Sequence, residues 1–191
     1  MRVIAGKFRS RTLTAPKGLD TRPTSDRLRE TLFNVLAPRI EGARFLDLYA
    51  GSGANGIEAL SRGAASVVFV EKAAPAVAAV RANLKALGIV GDYQLETRSV
   101  EAVLKRLTEQ AKNFDIVFLD PPYQAAEEYA LTMSFLGKDG AALPAGDGVV
   151  VAEHHRKQPL DDRYGKLERY RLLEQGDAAL SFYRNTSGSQ T

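Results

Sequence analysis

The chain has 191 residues, enough for one domain with a small appendage, and its lack of cysteine excludes disulfides and thiolate metal sites. It holds two histidines and no apolar run near the ~20 residues that span a bilayer, which favours a cytoplasmic protein without a multi-histidine metal site. The net charge of +3 is uneven: residues 1–44 hold ten Lys or Arg against four Asp or Glu, or +6, and the remainder carries −3. A basic segment of this kind favours a polyanion partner.

Short alternating runs that flank Gly6 predict a small β-hairpin in residues 2–15. A loop follows in residues 16–25, and helical spacing predicts a helix over 26–36 that ends before Pro38. From residue 45 the pattern alternates strands, at 45–49, 66–70, 93–97, 114–119 and 148–153, with helices, at 56–61, 73–87, 100–111 and 125–135. A hairpin of residues 167–173 and 178–183 closes the chain. This alternation predicts an α/β fold with a parallel sheet between two layers of helices.

A glycine-rich loop follows the first strand of the alternating region. Gly51, Gly53 and Gly56 fit the pattern G-x-G-x-x-G, which permits a tight turn and a close approach of the backbone to a ligand. Glu71 ends the second strand 20 residues after Gly51, where a carboxylate can accept both hydroxyls of a ribose. Asp47 precedes the glycines and would repel a pyrophosphate but attract an ammonium group. S-adenosylmethionine fits these residues as a ligand, because it carries an ammonium, a sulfonium and a ribose. The alternatives to a ligand-binding role are that Asp47 is a turn carboxylate and that Glu71 is a solvated residue at the end of a strand.

The sequence Asp120-Pro121-Pro122-Tyr123 follows the apolar strand 114–119. Proline lacks an N–H and fixes its own φ, so the strand ends there in a rigid turn. The Asp120 carboxylate and the Pro121 carbonyl can accept hydrogen bonds from an exocyclic amine, and Tyr123 can stack on its ring. Ligands bind at the carboxyl ends of parallel strands, so Asp120 is expected beside the glycine loop. A simple Asp-Pro turn is the alternative.

Gly51-Ser52-Gly53 together with Asp120–Tyr123 resembles the amino-group methyltransferases, which share [DNS]-P-P-[YFW]. The segments 21–34, which begins TRPT-x-DR, 46–53 and 56–64 are similar to the RsmD family of bacterial 16S ribosomal RNA guanine-N2 methyltransferases. The resemblance covers most of residues 1–153. It implies a Rossmann-like, seven-stranded methyltransferase fold that uses S-adenosylmethionine. It also implies that the basic hairpin grips RNA and that the substrate is a partly assembled 30S particle.

The resemblance and the motifs together predict the site residues. The predicted catalytic residues are Asp120, Pro121, Pro122 and Tyr123. The predicted cofactor-binding residues are Asp47, Leu48, Gly51, Ser52, Gly53, Glu71, Lys72, Ser99, Val100 and Asp120, with Ser99 where many methyltransferases have an acid that binds the adenine amine. The predicted RNA-binding residues are Lys7, Arg9, Arg11, Arg22, Thr24 and Arg27. The predicted domains are the hairpin extension 1–20, the methyltransferase domain 21–186 and a tail 187–191, in a monomer without metal.

Several alternatives remain open at the level of sequence. An adenine-N6 or a protein-glutamine methyltransferase would use the same Asp120–Tyr123 corner, because that corner binds an amine and not a particular ring. A non-catalytic RNA-binding assembly factor would keep the fold, and a nicotinamide-dependent enzyme is disfavoured by Asp47. Arg27 and Arg29 suit either RNA phosphates or a solvated helix face. His154 and His155 are expected on the surface.

Overall fold

The computed structural model describes residues 1–16, 25–122, 125–138 and 143–186. The chain divides into two compact units, Met1–Ser99 and Val100–Thr191. The helices are α1 (Asp26–Ile40), α2 (Ala54–Ser61), α3 (Ala74–Ala86), α4 (Val100–Glu109) and α5 (Ala126–Leu136). The strands are β1 (Arg44–Leu48), β2 (Ser66–Val70), β3 (Tyr93–Glu96), β4 (Ile116–Leu119), β5 (Val149–His155), β6 (Arg163–Tyr164), β7 (Leu167–Gln175) and β8 (Ala178–Asn185). None of the helices in these ranges is long and apolar enough to cross a membrane.

The first unit contains three parallel strands in the order β3-β2-β1. Leu48 pairs with Val70, and Val70 pairs with Glu96, so the carboxyl ends of all three strands lie at one edge. The last four residues of β1 and of β2 are buried, as expected for strands covered on both faces. This register brings the segments that follow β1 and β2 together at the same edge.

The N-terminal segment, which we define as residues 1–16, folds back on itself but forms a less regular hairpin than the sequence predicts. The Val3 N–H donates to the Arg11 carbonyl at 2.9 Å, and the Leu13 N–H donates to the Met1 carbonyl at 3.0 Å. The only β-pairing of this segment is an isolated antiparallel bridge between Arg2 and Thr12, and residues 5–10 form turns instead of strands. Two N–H groups at the start of the turn bond outside the segment: those of Ile4 and Ala5 donate to the Glu58 carboxylate at 2.7 and 3.0 Å. The segment therefore lies against α2, which it contacts through the Glu58 side chain.

Helix α1 continues to Ile40 and contains Pro38, which the sequence places beyond the helix end. Proline removes one intrahelical hydrogen bond and tends to kink a helix. In the last turn such a kink affects only the residues up to Ile40. Ser25 caps the other end, since its hydroxyl accepts from the Leu28 N–H at 3.1 Å. Phe33 on the buried face stacks on Phe45 of β1 with ring centroids 6.2 Å apart.

The second unit contains five strands in the order β4-β5-β8-β7-β6. Strands β4 and β5 are parallel, and the remaining neighbours pair antiparallel, which confirms the terminal hairpin of β7 and β8. Leu119 pairs with Ala152, so the corner after β4 and Glu153 of β5 come to the same edge. The described ranges contain eight strands where the resemblance implies seven. Strand β6 has two residues, too few to show a period in the sequence.

Candidate functional site

The glycine loop between β1 and α2 adopts a conformation that glycine favours. Gly51 and Gly53 have φ of 57° and 78°, and Gly53 serves as the N-cap of α2. Gly56 is required for another reason, because a Cβ there would lie 2.2 Å from Cε1 of Phe69 in β2. The first two glycines thus shape the turn, and the third lets the helix pack against the strand.

Glu71 holds the glycine loop through its carboxylate. Oε2 accepts from the Gly51 N–H at 2.9 Å, and Oε1 accepts from the Ala73 N–H at 2.8 Å. A carboxylate offers about four lone-pair positions, so each oxygen keeps the capacity to accept a further hydroxyl. The side chain is also half-buried and not fully solvated. Binding of ribose hydroxyls by Glu71 is compatible with these contacts and stays a prediction.

Asp47 is a buried carboxylate with only 1% of the residue exposed. Its Oδ2 accepts from the Gly56 N–H at 2.9 Å, which ties β1 to the first turn of α2. Burial raises the pKa of Asp47 to about 7; the bond from Gly56 lowers this pKa, and the charge of Glu71 raises it. The contact supports the interpretation of Asp47 as a turn carboxylate. A role toward an ammonium group stays a prediction.

The remaining predicted cofactor residues differ in exposure. Leu48 is fully buried in β1, and Ser52 is buried in the glycine loop with its hydroxyl 3.6 Å from the Met1 sulfur. Lys72 and Ser99 are exposed, and Val100 is buried at the start of α4. Cofactor contacts at all five of these residues stay predictions.

Two asparagines near the glycine loop were not among the predicted site residues. Asn55 is buried in the first turn of α2, and its Oδ1 has no hydrogen-bond partner in the described part of the chain. Asn83 of α3 donates to the Ser52 carbonyl at 2.9 Å. A signal for Asn83 exists in the sequence, because asparagine is a poor helix former and interrupts an alanine-rich helix. The Asn55 Oδ1, which lacks a donor in the described part of the chain, and the carboxylates of Asp47 and Glu71 fit a cationic cofactor that carries hydrogen-bond donors.

The corner after β4 is held by its prolines and by a tyrosine of α5. Asp120 is half-buried, Pro121 is buried and Pro122 is exposed, while Tyr123 lies outside the described residues. The hydroxyl of Tyr129, a buried residue, donates to the Glu153 carbonyl at 2.8 Å and lies 3.2 Å from the Pro121 carbonyl. The corner is thereby fastened to the end of β5. The predicted approach of Asp120 to the glycine loop stays a prediction.

The predicted RNA-binding residues in the described ranges have different contacts. Arg9 and Arg27 line a cavity of about 400 Å³ together with Arg2, Asp26 and Glu30. The Lys7 ammonium lies 5.4 Å from the centroid of the Phe8 ring, and Arg11 donates to the Ala86 carbonyl at 3.3 Å. Arg22 and Thr24 lie outside the described residues. The cavity is the place where predicted RNA-binding arginines come together.

Neither sequence interpretation of Arg29 is correct, because this residue is 0% exposed. Its Nη2 donates to the Arg2 carbonyl at 2.5 Å and to Asp26 at 2.8 Å, and its Nε lies 3.9 Å from Glu58. Glu58 is buried as well and accepts from Arg62 at 2.7 Å. Arg29 of segment 21–34 thus forms a charged cluster with Glu58 and Arg62 of segment 56–64. Glu58 also holds the N-terminal segment.

His154 is also buried, with 2% exposed, against the expectation of a surface residue. Its Nε2 lies 2.9 Å from the Ser181 hydroxyl, and its Nδ1 lies 3.1 Å from the carbonyls of His155 and Gln158. Burial lowers the pKa of His154, and the two carbonyls act in the opposite direction. Within the described ranges no group of three or more His, Asp or Glu side chains could hold a metal ion.

Comparison with known proteins gives consistent relatives along nearly the whole chain. Residues 1–184 match the family profile described as Conserved hypothetical protein 95. The Bacillus subtilis protein YlbH, described as a candidate rRNA methyltransferase, is 38% identical over 96% of this chain and 98% of its own length. The Haemophilus influenzae ribosomal RNA small subunit methyltransferase D is 32% identical over 96% of this chain and 92% of its own length.

A solved structure agrees with these relatives. The Escherichia coli protein yhhF, described as a candidate methyltransferase, matches with a TM-score of 0.83 and 31% identity, over 97% of each chain. The fold predicted from the sequence, a Rossmann-like α/β methyltransferase fold, is confirmed by this match, although the described ranges contain eight strands. On the profile, the relatives and the fold, the chain belongs to the RsmD family of methyltransferases.

Proposed function

We propose that this protein methylates the exocyclic N2 amine of one guanine in 16S ribosomal RNA, within an assembling 30S particle. The observation that carries the proposal is family membership along nearly the full chain, together with a glycine loop and an Asp-Pro-Pro corner in the described structure. The relative named ribosomal RNA small subunit methyltransferase D supports ribosomal RNA as the substrate. The name of that relative does not specify the other parts of the proposal, which are the guanine N2 target, the 30S particle, the monomeric state and the cytoplasmic location.

S-adenosylmethionine is the cofactor and supplies an electrophilic methyl group on its sulfonium. Glu71 accepts the ribose hydroxyls while it keeps its bonds to the Gly51 and Ala73 N–H groups. Asp47 lies near the carboxyl end of β1, before the loop, and it contributes negative charge when it ionises. This charge favours a cationic cofactor over a pyrophosphate. Leu48 at the end of β1, and Ser52 and Gly53 of the glycine loop, supply backbone groups to the cofactor site.

The Asp120 corner acts on the acceptor base. The lone pair of an exocyclic amine is delocalised into the ring, so the amine is a poor nucleophile until its geometry is fixed. Asp120 and the Pro121 carbonyl accept hydrogen bonds from the amine, which orients the lone pair and stabilises the positive charge that develops on nitrogen. The prolines keep these acceptors in place without the need for side-chain rearrangement. Tyr123 stacks on the base after the base leaves its own stack.

The basic cavity at Arg9 and Arg27 contributes affinity for the RNA backbone, and this contribution weakens as salt rises. An adenine-N6 or protein-glutamine methyltransferase is a weaker candidate, because the matched relatives carry ribosomal RNA in their names. A non-catalytic assembly factor would bind RNA without consuming the methyl donor.

The test compares labelled-methyl transfer to immature 30S particles, free 16S rRNA, duplex DNA and a peptide release factor. We expect transfer to the ribosomal substrates, with the label recovered as N2-methylguanine at one position that is unmethylated in a deletion strain. Transfer to DNA or protein instead would select the other amino methyltransferases. Absence of transfer together with absence of S-adenosylmethionine binding in calorimetry would select the assembly factor.

A further inference from the structure

Asn83 makes more contacts than a helix-surface amide would. It lies within α3, and only 2% of the residue is exposed. Its Oδ1 accepts from the Thr14 N–H at 2.8 Å, and its Nδ2 donates to the Thr14 carbonyl at 3.0 Å and to the Ser52 carbonyl at 2.9 Å. Both N–H groups of the amide and its oxygen are therefore engaged. A buried amide without these bonds would destabilise the fold, so the three contacts account for an asparagine at this position.

These bonds join two segments that have different predicted ligands. Thr14 belongs to the N-terminal segment, which carries three of the six predicted RNA-binding residues, and Ser52 is the central residue of the glycine loop. The N–H and the carbonyl of Thr14 both bond to the Asn83 side-chain amide, which takes the place of a backbone partner. A second contact links the same segments, because the Met1 sulfur lies 3.6 Å from the Ser52 hydroxyl.

The glycine loop is thereby held from two sides. Glu71 fixes it at the Gly51 N–H, and Asn83 fixes it at the Ser52 carbonyl. Glycines on both sides of Ser52 have positive φ, so the backbone of the loop has other conformations available once these bonds are broken. A displacement of Ser52 would break its bond to the same amide that holds Thr14. A displacement of Thr14 would disturb Ser52 by the same route.

We propose that Asn83 is a positioning residue that couples RNA binding by the N-terminal segment to cofactor binding by the glycine loop. The inference rests on the proposed function, which supplies the two ligands. RNA that immobilises the N-terminal segment also restrains the glycine loop through Asn83. The cofactor then binds a loop that has already lost part of its conformational freedom, and its affinity rises. By linkage, the cofactor strengthens RNA binding by the same factor.

The experiment titrates S-adenosylhomocysteine, which cannot react, into the wild-type protein with and without immature 30S particles, the proposed substrate, by calorimetry. We expect the particles to strengthen binding by roughly 5-fold or more, the lower range of measured couplings between sites. Asn83→Ala removes all three bonds and suits the helix, so the ratio of the two affinities should fall to about one. Asn34→Ala is the matched control, because Asn34 is an exposed asparagine of α1 and should leave the ratio unchanged.

Other outcomes overturn the inference. If the wild type binds both ligands with a ratio of one, the coupling does not exist, while the proposed function stands. If Asn83→Ala weakens S-adenosylhomocysteine equally with and without RNA, Asn83 has a structural role only. If the wild type binds neither ligand, the proposed function fails and takes this inference with it. Should Asn83→Ala not fold, Asn83→Ser keeps a polar group in the buried site, but its single hydroxyl hydrogen cannot hold the Thr14 and Ser52 carbonyls together, and the same ratio decides.

Discussion

The glycine loop after β1 and the corner after β4 are the two places where the predicted chemistry lies, and their backbones are fixed by different means. The loop contains glycines with positive φ, and side chains from other elements hold it, namely Asp47, Glu71 and Asn83. The corner contains two prolines that restrict the backbone covalently, and one hydroxyl, from Tyr129, fastens it.

The difference shows where each region is vulnerable. A glycine-rich loop gains its precise conformation from hydrogen bonds, so loss of one distant side chain changes the loop. A proline corner keeps most of its conformation when a hydrogen bond is lost. We define the polar framework of the first unit as the side chains that hold its backbone by hydrogen bonds, namely Asp47, Glu58, Glu71 and Asn83. We therefore expect substitutions in this framework to alter stability or cofactor binding. Substitutions around the corner should affect catalysis chiefly at Asp120 itself.

The largest effect on stability is expected for Glu58→Gln. Loss of this carboxylate removes the ion pair with Arg62 at 2.7 Å, leaves Asp26 as the carboxylate beside Arg29, and weakens the acceptor for the Ile4 and Ala5 N–H groups. Breaking a buried ion pair from one side costs about 3–5 kcal/mol, which should appear in urea unfolding at pH 7.5. Glu101→Gln is the control, because Glu101 forms an exposed pair with Lys105 at 2.6 Å and should change little. Equal stability of the two variants would refute the framework role of Glu58.

The largest effect on rate is expected for Asp120→Ala. Loss of a preorganised polar group that stabilises developing charge typically slows a reaction by roughly 10²–10³-fold. Single-turnover methylation of 30S particles at saturating S-adenosylmethionine measures this step apart from any change in cofactor affinity, since Asp120 is also a predicted cofactor-binding residue. Asp120→Asn is the matched control, since it keeps an acceptor oxygen and the family pattern admits Asn. Methylation by Asp120→Ala at nearly the wild-type rate would remove Asp120 from the mechanism.

A smaller effect that depends on pH is expected for Asp47→Asn. The pKa of Asp47 is raised from 3.8 to about 7 in the folded protein, so its contribution to stability is full below pH 3.8 and is lost as pH rises through 7. Asparagine does not ionise, and the variant should gain stability over the wild type between pH 4 and 8, with a ceiling of about 4 kcal/mol. His154, whose pKa is lowered, destabilises both proteins as pH falls below 6.5, so it cancels in the difference. A difference independent of pH would contradict the raised pKa.

The smallest effect is expected for Tyr129→Phe, which removes the hydroxyl that fastens the corner to Glu153. One hydrogen bond contributes about 1 kcal/mol to stability, and the prolines should preserve the conformation of the corner. The variant should therefore unfold at slightly lower urea and methylate 30S particles within several-fold of the wild-type rate. A loss of rate as large as that of Asp120→Ala would show that the hydroxyl, and not the prolines, fixes the corner.

Much of the fold could be predicted from the sequence because the signals are local. Alternating apolar runs gave the parallel strands, and glycine or proline marked their ends, as at Gly51 and Pro121. The N-terminal hairpin is reduced to one bridge and a few backbone bonds, because part of its backbone bonds to a distant helix instead. The acceptor for Ile4 and Ala5 is Glu58, more than 50 residues away, and no local pattern reveals such a bond. His154 and Arg29 were placed on the surface for the same reason.

The sequence by itself determined the α/β class, the glycine loop and the Asp120 corner, because these depend on backbone constraints that residue types carry with them. Only the tertiary structure decided how the polar side chains are used. Arg29 and Glu58 form a buried pair, Glu71 holds the loop at Gly51, and Asn83 joins Thr14 to Ser52. Each of these contacts joins residues far apart in the chain, and burial, which makes such contacts strong, is a property of the folded whole.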